Sequence, residues 1–172
     1  MITGAAKDPS STQAQVTAAR AEALYGAWLC GTTLGSVGMS LHHKLCHTLG
    51  GTFNLPHAET HTIVLPHALA YNAPSIPAVM TRLARTFAEA EGDGKASDAD
   101  DADDAIAALN RLLARLGVKR ALGELGLKEE DIDKAADIAV QVQYSNPREV
   151  ERNKIRELIR RAYAGEDARA NL

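Results

Sequence analysis

Apolar residues recur every three to four positions along nearly the whole chain, and no run alternates with period two for long enough to make a strand. That pattern predicts an all-α domain of roughly six or seven helices. Ala21, Leu24, Trp28 and Cys30 follow the spacing after Ser10, and Gln13 three residues further on suggests a capping box there. Val79, Leu83 and Phe87 repeat every four, while Ile106, Leu109, Leu112, Leu113 and Leu116 make a broad stripe that stops at Gly117. Ile132, Ala135, Ala136 and Val140 suggest a further helix, and Ile155, Leu158, Ile159 and Ala162 form a last stripe closed by Gly165. Thr62 to Leu65 is rich in β-branched residues but lies inside a longer helical pattern, which Pro66 is expected to interrupt.

The 172 residues suit one domain, so a single helical domain over 1–172 is expected. An acidic stretch over about 91–104 reads as a solvated linker that ends as a helix N-terminus, where Asp is favourable against the helix dipole. It lacks the D-x-D-x-D-G frame and closing Glu of a calcium loop. Nineteen Lys and Arg against 22 Asp and Glu leave a net charge of −3, without the basic excess that a nucleic-acid binder or a polybasic membrane surface requires. From Tyr25 to Leu41 seventeen residues carry no charge, but four glycines, Thr32, Thr33, Ser36 and Ser40 dilute them below a spanning helix, and a buried core helix is the expectation. Cys30 and Cys46 stand in no C-x-x-C pattern, which argues for a reducing, cytoplasmic setting. The start of the chain lacks the layout of a signal peptide. Gly31, Gly35, Gly38, Gly50 and Gly51 follow no strand and fit no G-x-G-x-x-G frame, so no dinucleotide-binding unit is visible.

All six histidines, His42, His43, His47, His57, His61 and His67, fall in one short segment. His43 and His47 lie four apart, one turn above the other on a helix face. Gly50, Gly51 and Pro56 allow the chain to turn and start a second helix near His57, with His61 one turn further on the same face. Two neighbouring helices presenting imidazoles to each other can bind a divalent metal such as zinc, iron or nickel, or place a general acid and base in a cleft. Glu59 is the only acid among these residues and there is no H-E-x-x-H frame, so a complete metal site within the chain is not expected.

The strings AEALYGAWLCG (21–31), GMSLHHKLCHTLGGTF (38–53), LPHAETH (55–61) and LPHALAYN (65–72) resemble the maleylacetate reductase branch of the iron-containing alcohol dehydrogenase family. A weaker likeness runs from Tyr144 through Asn146, Pro147 and Arg148 to Gly165. The resemblance implies an α/β domain for NADH or NADPH, absent here, facing an all-helical C-terminal domain that this chain resembles. It also implies reduction of maleylacetate to 3-oxoadipate, in the breakdown of aromatic compounds, with little activity from this part alone. A separate nucleotide-binding chain would complete the enzyme, and the full enzyme would be a homodimer. Two of the family's metal-ligand positions match His43 and His57, for iron(II) or zinc, although this branch is regarded as able to work without the metal. The histidine beside the nicotinamide, implicated in proton transfer, matches His47, the expected catalytic and cofactor-contacting residue. His42, Lys44 and Arg148 are the candidates for holding the anionic substrate. Other readings are a fragment of an iron-containing alcohol dehydrogenase acting on another small carbonyl compound, and a non-catalytic helical pairing module.

Overall fold

The computed structural model describes residues 11–91, 101–141 and 144–172, and among these every regular element is helical. The α-helices are α1 (Gln13–Ser36), α2 (Leu41–Phe53), α3 (His57–Asn72), α4 (Pro77–Glu91), α5 (Asp101–Leu116), α6 (Ile132–Gln141) and α7 (Arg152–Ala164). Three short 3-10 turns, Ala73–Ser75, Leu122–Leu125 and Glu129–Asp131, connect some of them. The helical period therefore predicted the class and the elements. Gly117 and Gly165 adopt φ of +66° and +72°, the left-handed geometry that closes α5 and α7. Most of the acidic linker, residues 92–100, lies outside the described residues, while Asp101, Asp103 and Asp104 occupy the first turn of α5.

The chain divides into two compact units, one ending at Gly38 and the other covering Met39–Leu172, where the sequence pattern predicts one domain over 1–172. The first unit contributes α1. Its capping box is Thr12 with Gln15: Gln15 N–H donates to Thr12 Oγ1 (3.3 Å), and Thr12 N–H donates to Gln15 Oε1 (2.8 Å). That pair replaces the expected Ser10 and Gln13, because Thr12 is the residue immediately before the first helical turn. The uncharged run in α1 is not a buried core helix. None of its side chains is buried, and Leu24, Tyr25 and Trp28 are 72%, 62% and 61% exposed. Hydropathy states what a helix would gain by burial but not whether another element offers a complementary face. Among the described residues no helix is long and apolar enough to cross a membrane.

The second unit is built around α3. Its Ile63, Val64, Ala68 and Tyr71 join Leu41, Leu45 and Leu49 of α2, Ile132, Ala135 and Ala136 of α6, and Ile155, Leu158 and Ile159 of α7 in the main core. Ala70 and Ala73 instead join Met80 and Ala84 of α4 and Ala105 and Ile106 of α5. Burial on both sides explains why Pro66 does not interrupt the helix as expected. An interior proline costs about 3 kcal/mol, and the eight buried residues of α3, Pro66 among them, offset it through packing.

Polar contacts tie the segment after α6 to the end of α3. Asn146 Nδ2 donates to Asn72 Oδ1 (2.8 Å) and to the Arg148 carbonyl (2.6 Å), and Asn72 Nδ2 donates to Asn146 Oδ1 (3.1 Å). Ser40, the residue preceding α2, donates from Oγ to the same Asn146 Oδ1 (2.7 Å). One side chain thereby joins the start of α2 to the end of α3.

His67 is 3% exposed on α3. Burial pushes its imidazole down to about 4, Arg120 and Arg161 push the same way, and Glu166 and Asp167 partly oppose them. The unfolded chain protonates this ring near pH 6.5 while the folded chain keeps it neutral to about 4, so the unfolded state binds more protons in that window. Stability should fall as pH drops from about 6.5 to 4 and level off below, with His67 contributing about 3 kcal/mol of the loss. Urea unfolding across that range checks this: the pH slope should flatten in His67→Gln, and parallel slopes in both proteins would contradict a buried neutral ring.

Candidate functional site

Leu41, Leu45 and Leu49 recur every four residues and turn one face of α2 into the core, with Cys46 beside them. His42, His43 and His47 are thereby left on the flanks. Gly50 and Gly51 do not make the expected turn; both stay helical, and the reversal occurs at Asn54, whose φ of 53° is the left-handed geometry that Asn tolerates. Only residues 54–56 separate α2 from α3, and the two helices pack against each other. Thr60 is fully buried and donates from Oγ1 to the Pro56 carbonyl (2.6 Å), which ties down the first turn of α3.

The imidazoles meet at this junction. Ring centroids of His42 and His43 lie 5.2 Å apart, His42 and His61 4.9 Å, and His43 and His61 5.0 Å, all edge to face. His57 lies 4.2 Å from His61 in a tilted stack, and His47 lies 6.4 Å from His43. His42 Nε2–H donates to the His61 carbonyl (2.9 Å), while His61 Nε2 is buried without a hydrogen-bond partner. One ring nitrogen from each of His42, His43 and His61 lies within 4.8 Å of the others. The metal pair implied by resemblance, His43 and His57, is thus brought to the same junction, but the convergent set takes His42 and His61 in place of His57. Sequence reasoning placed His61 one turn from His57 and missed its role in that set; the four-residue spacing was the signal.

Three of these rings are held neutral. Burial lowers His42, against a raising effect of its bond to the His61 carbonyl, and His43 adds a smaller lowering effect. Burial also lowers His43, followed by repulsion from His47 and His57. His61 is pushed down to about 4 by burial and then by its histidine neighbours, because nearby imidazolium charges repel. Neutral imidazole is the form that ligates a metal or accepts a proton. The adjacent Cys46 thiol is driven up to about 12 by burial, which makes it packing rather than a nucleophile.

The remaining expected residues are placed differently. Lys44 is half-buried on α2 beside His43. Arg148 is not brought to the imidazoles by any of its described contacts. Its Nη1 donates to the Tyr71 carbonyl (2.8 Å), its Nη2 donates to the Leu172 backbone oxygen, and its guanidinium lies 4.6 Å over the Tyr71 ring. These contacts place two of its five guanidinium N–H groups on backbone oxygens. Asn146 and Tyr71 carry this framework; both lie in stretches that resemble the family, but no local spacing announced their structural roles.

Residues 4–163 match the model of the Fe-containing alcohol dehydrogenase family, C-terminal. The chain is 51% identical over 148 residues to the maleylacetate reductase of Pseudomonas sp. (strain P51), covering 86% of this chain and 38% of that protein. It is 49% identical over 162 residues to the maleylacetate reductase of Burkholderia cepacia, covering 94% and 42%. The crystal structure of maleylacetate reductase from Agrobacterium tumefaciens superposes with a TM-score of 0.74 at 43% identity, covering 90% of this chain and 41% of that one. An all-helical unit with this histidine-bearing helix pair, matched over nearly its whole length, belongs to the iron-containing alcohol dehydrogenase family as its C-terminal helical part. The chain spans about two-fifths of the length of these relatives.

A proton titration of the cluster follows from its burial and mutual repulsion. In NMR spectra of the imidazole C–H signals, His61 should titrate with a midpoint of about 4, and His42 and His43 should titrate below the ordinary value. A His61 midpoint at or above 6.5 would contradict this packing.

Proposed function

We propose that this chain is the catalytic helical part of a maleylacetate reductase, in which α2 and α3 present the imidazoles that handle substrate charge and protons. The observation that carries the reading is the convergence of five histidines from two helices at one junction, in a chain about half identical to maleylacetate reductases. That identity supports the reductase over an alcohol dehydrogenase fragment for another carbonyl compound and over a pairing module.

The family implies a nicotinamide cofactor and a metal. The described residues contain no strand–turn–helix phosphate cradle, so they do not fit the dinucleotide, whose binding falls to the portion of the relatives that this chain does not span. For the metal the donor set fits: neutral imidazoles, with the buried His61 Nε2 left without a partner. His43 and His57 are the residues that the resemblance assigns to it. A bound divalent metal would supply Lewis-acid polarisation of a substrate oxygen.

Reduction of a carbon–carbon double bond adds a hydride to one carbon and a proton to its neighbour. This chain's share is the proton. His47 is exposed on α2 one turn from His43, so it can deliver a proton to the developing carbanion and recover it from water. Lys44, on the same helix, holds a substrate carboxylate, and Arg148 positions residues 146–151 against α3. Homodimer assembly, with the nucleotide-binding part supplied in the same chain or a separate one, belongs to this reading.

The test is reconstitution. This chain mixed with or fused to a nucleotide-binding half from a relative should oxidise NADH or NADPH in the presence of maleylacetate, and the chain alone should not. In the reconstituted enzyme His47→Ala should lower kcat by about 10²–10⁴-fold with little change in KM, because a proton donor acts in the transition state. Near-normal kcat with an unchanged melting temperature would remove His47 from the chemistry.

A further inference from the structure

We propose that Asn146 is the positioning residue of the imidazole junction: it draws the Ser40 hydroxyl away from capping α2 and uses it to fix where that helix begins, and so where His42 stands against His61.

The first observation is a cap that is not made. A Ser or Thr before a helix ordinarily accepts a hydrogen bond from an N–H of the first turn, as Thr12 does before α1. Ser40 occupies the same place before α2 and makes no such bond. Its Oγ donates instead to Asn146 Oδ1 (2.7 Å), 106 positions further along the chain. A local stabilisation is given up for a long-range tie.

The second observation is that Asn146 is fully committed. Its Nδ2 donates to the Arg148 carbonyl (2.6 Å) and to Asn72 Oδ1 (2.8 Å), and its Oδ1 accepts from Asn72 Nδ2 (3.1 Å) as well as from Ser40. Both hydrogens and both lone pairs of the amide are thereby used. The Arg148 carbonyl can only accept, so it decides which amide atom is Nδ2 and turns Oδ1 to Ser40.

The third is leverage. Asn146 ties Ser40 to Asn72 at the end of α3, while His42, two residues on, donates Nε2–H to the His61 carbonyl (2.9 Å) near the beginning of α3. From the helical rise per residue, those two points of α3 lie about 16 Å apart. Ties so separated fix the direction of the first turn of α2 as well as its place, whereas the His42 bond alone would leave a pivot. Burial of Leu41, Leu45 and Leu49 is non-directional, so these directional bonds choose among closely similar settings of the helix. In the reductase chemistry proposed above Asn146 thus positions imidazoles, and that clause alone rests on that reading.

The test uses the isotope-labelled 172-residue chain and reads nuclear Overhauser cross-peaks between the His42 and His61 rings, whose centroids lie 4.9 Å apart. Asn146→Ala and Ser40→Ala should each lose them, and Ser40→Thr, which keeps the hydroxyl, should retain them. Ile155→Val is the control. Ile155 is fully buried in α7, and trimming it destabilises the fold comparably to one lost hydrogen bond without touching the tie, so the cross-peaks should stay. A second readout has opposite signs for positioning and for mere support. In Asn146→Ala the released Ser40 hydroxyl caps α2, so solvent exchange of the His43 amide proton should slow by about three- to tenfold, and in Ser40→Ala it should not slow. Loss of mere support would speed that exchange. Circular dichroism confirms that the variants remain helical, and should Asn146→Ala unfold, the cross-peaks of Ser40→Ala, Ser40→Thr and Ile155→Val decide the matter. Cross-peaks that persist in Ser40→Ala, cross-peaks that vanish in Ser40→Thr or Ile155→Val, or a His43 amide that fails to slow in folded Asn146→Ala would each overturn the proposal. No readout uses turnover, so the positioning role and the reductase reading can fail separately.

Discussion

The burial of α3 on both of its long sides is the constraint on which the larger unit depends. Ile63, Val64, Ala68 and Tyr71 enter one core cluster while Ala70 enters another, so α3 is anchored by α2, α6 and α7 and also meets α4 and α5 through small residues. Alanine at positions 70, 73, 84 and 105 allows close approach of those helices. A helix held in this way cannot shift without opening two cores. His57 and His61 at its beginning therefore have fixed positions, and α2, joined by residues 54–56, brings His42 and His43 to them. Asn146 reinforces the arrangement from the far end by bonding both Ser40 and Asn72.

The second organising effect is the segregation of charge. Many of the ion pairs among the described residues gather on the α6 and α7 surface, where Arg152 meets Asp133 and Asp137 and Arg156 meets Asp133, and around Glu157 with Arg160 and Arg161. Exposed pairs of this kind are each worth roughly 0–1 kcal/mol, so they decorate the fold more than they hold it. The histidine junction has no described carboxylate partner, and its buried rings are pushed toward the neutral form by desolvation and by one another. A set of neutral nitrogens close together is chemically useful because it offers lone pairs and weakly held protons without a fixed charge to exclude an anionic substrate or a metal.

Much of the fold was legible locally. The three-to-four period of Ile106, Leu109 and Leu113, or of Ile155, Leu158 and Ile159, depends only on which face of a helix meets apolar surroundings, and the glycines that close α5 and α7 announce a backbone geometry that few other residues adopt. Pro66 and the paired glycines misled for the same reason. Their propensities are local, and packing around α3 and α2 outweighed them. The uncharged run of α1 misled in the opposite sense, because its hydropathy was read as burial and its side chains are exposed. At the site, the clustering of histidines and the four-residue spacings pointed to the correct helices, but not to His61 as the residue whose nitrogen meets those of His42 and His43.

The sequence by itself determined that the chain is helical, that its six histidines all lie between His42 and His67, and which family it resembles, since periodicity, composition and motif strings are properties of neighbouring residues. Only the tertiary structure decided which imidazoles face one another, which nitrogen is left without a partner, and that the Arg148 guanidinium turns to backbone oxygens at Tyr71 and Leu172. The reason is physical. Those outcomes depend on how α2 crosses α3 and how residues 146–151 lie against them, and core side chains of α6 and α7, far from the histidines in sequence, take part in setting both.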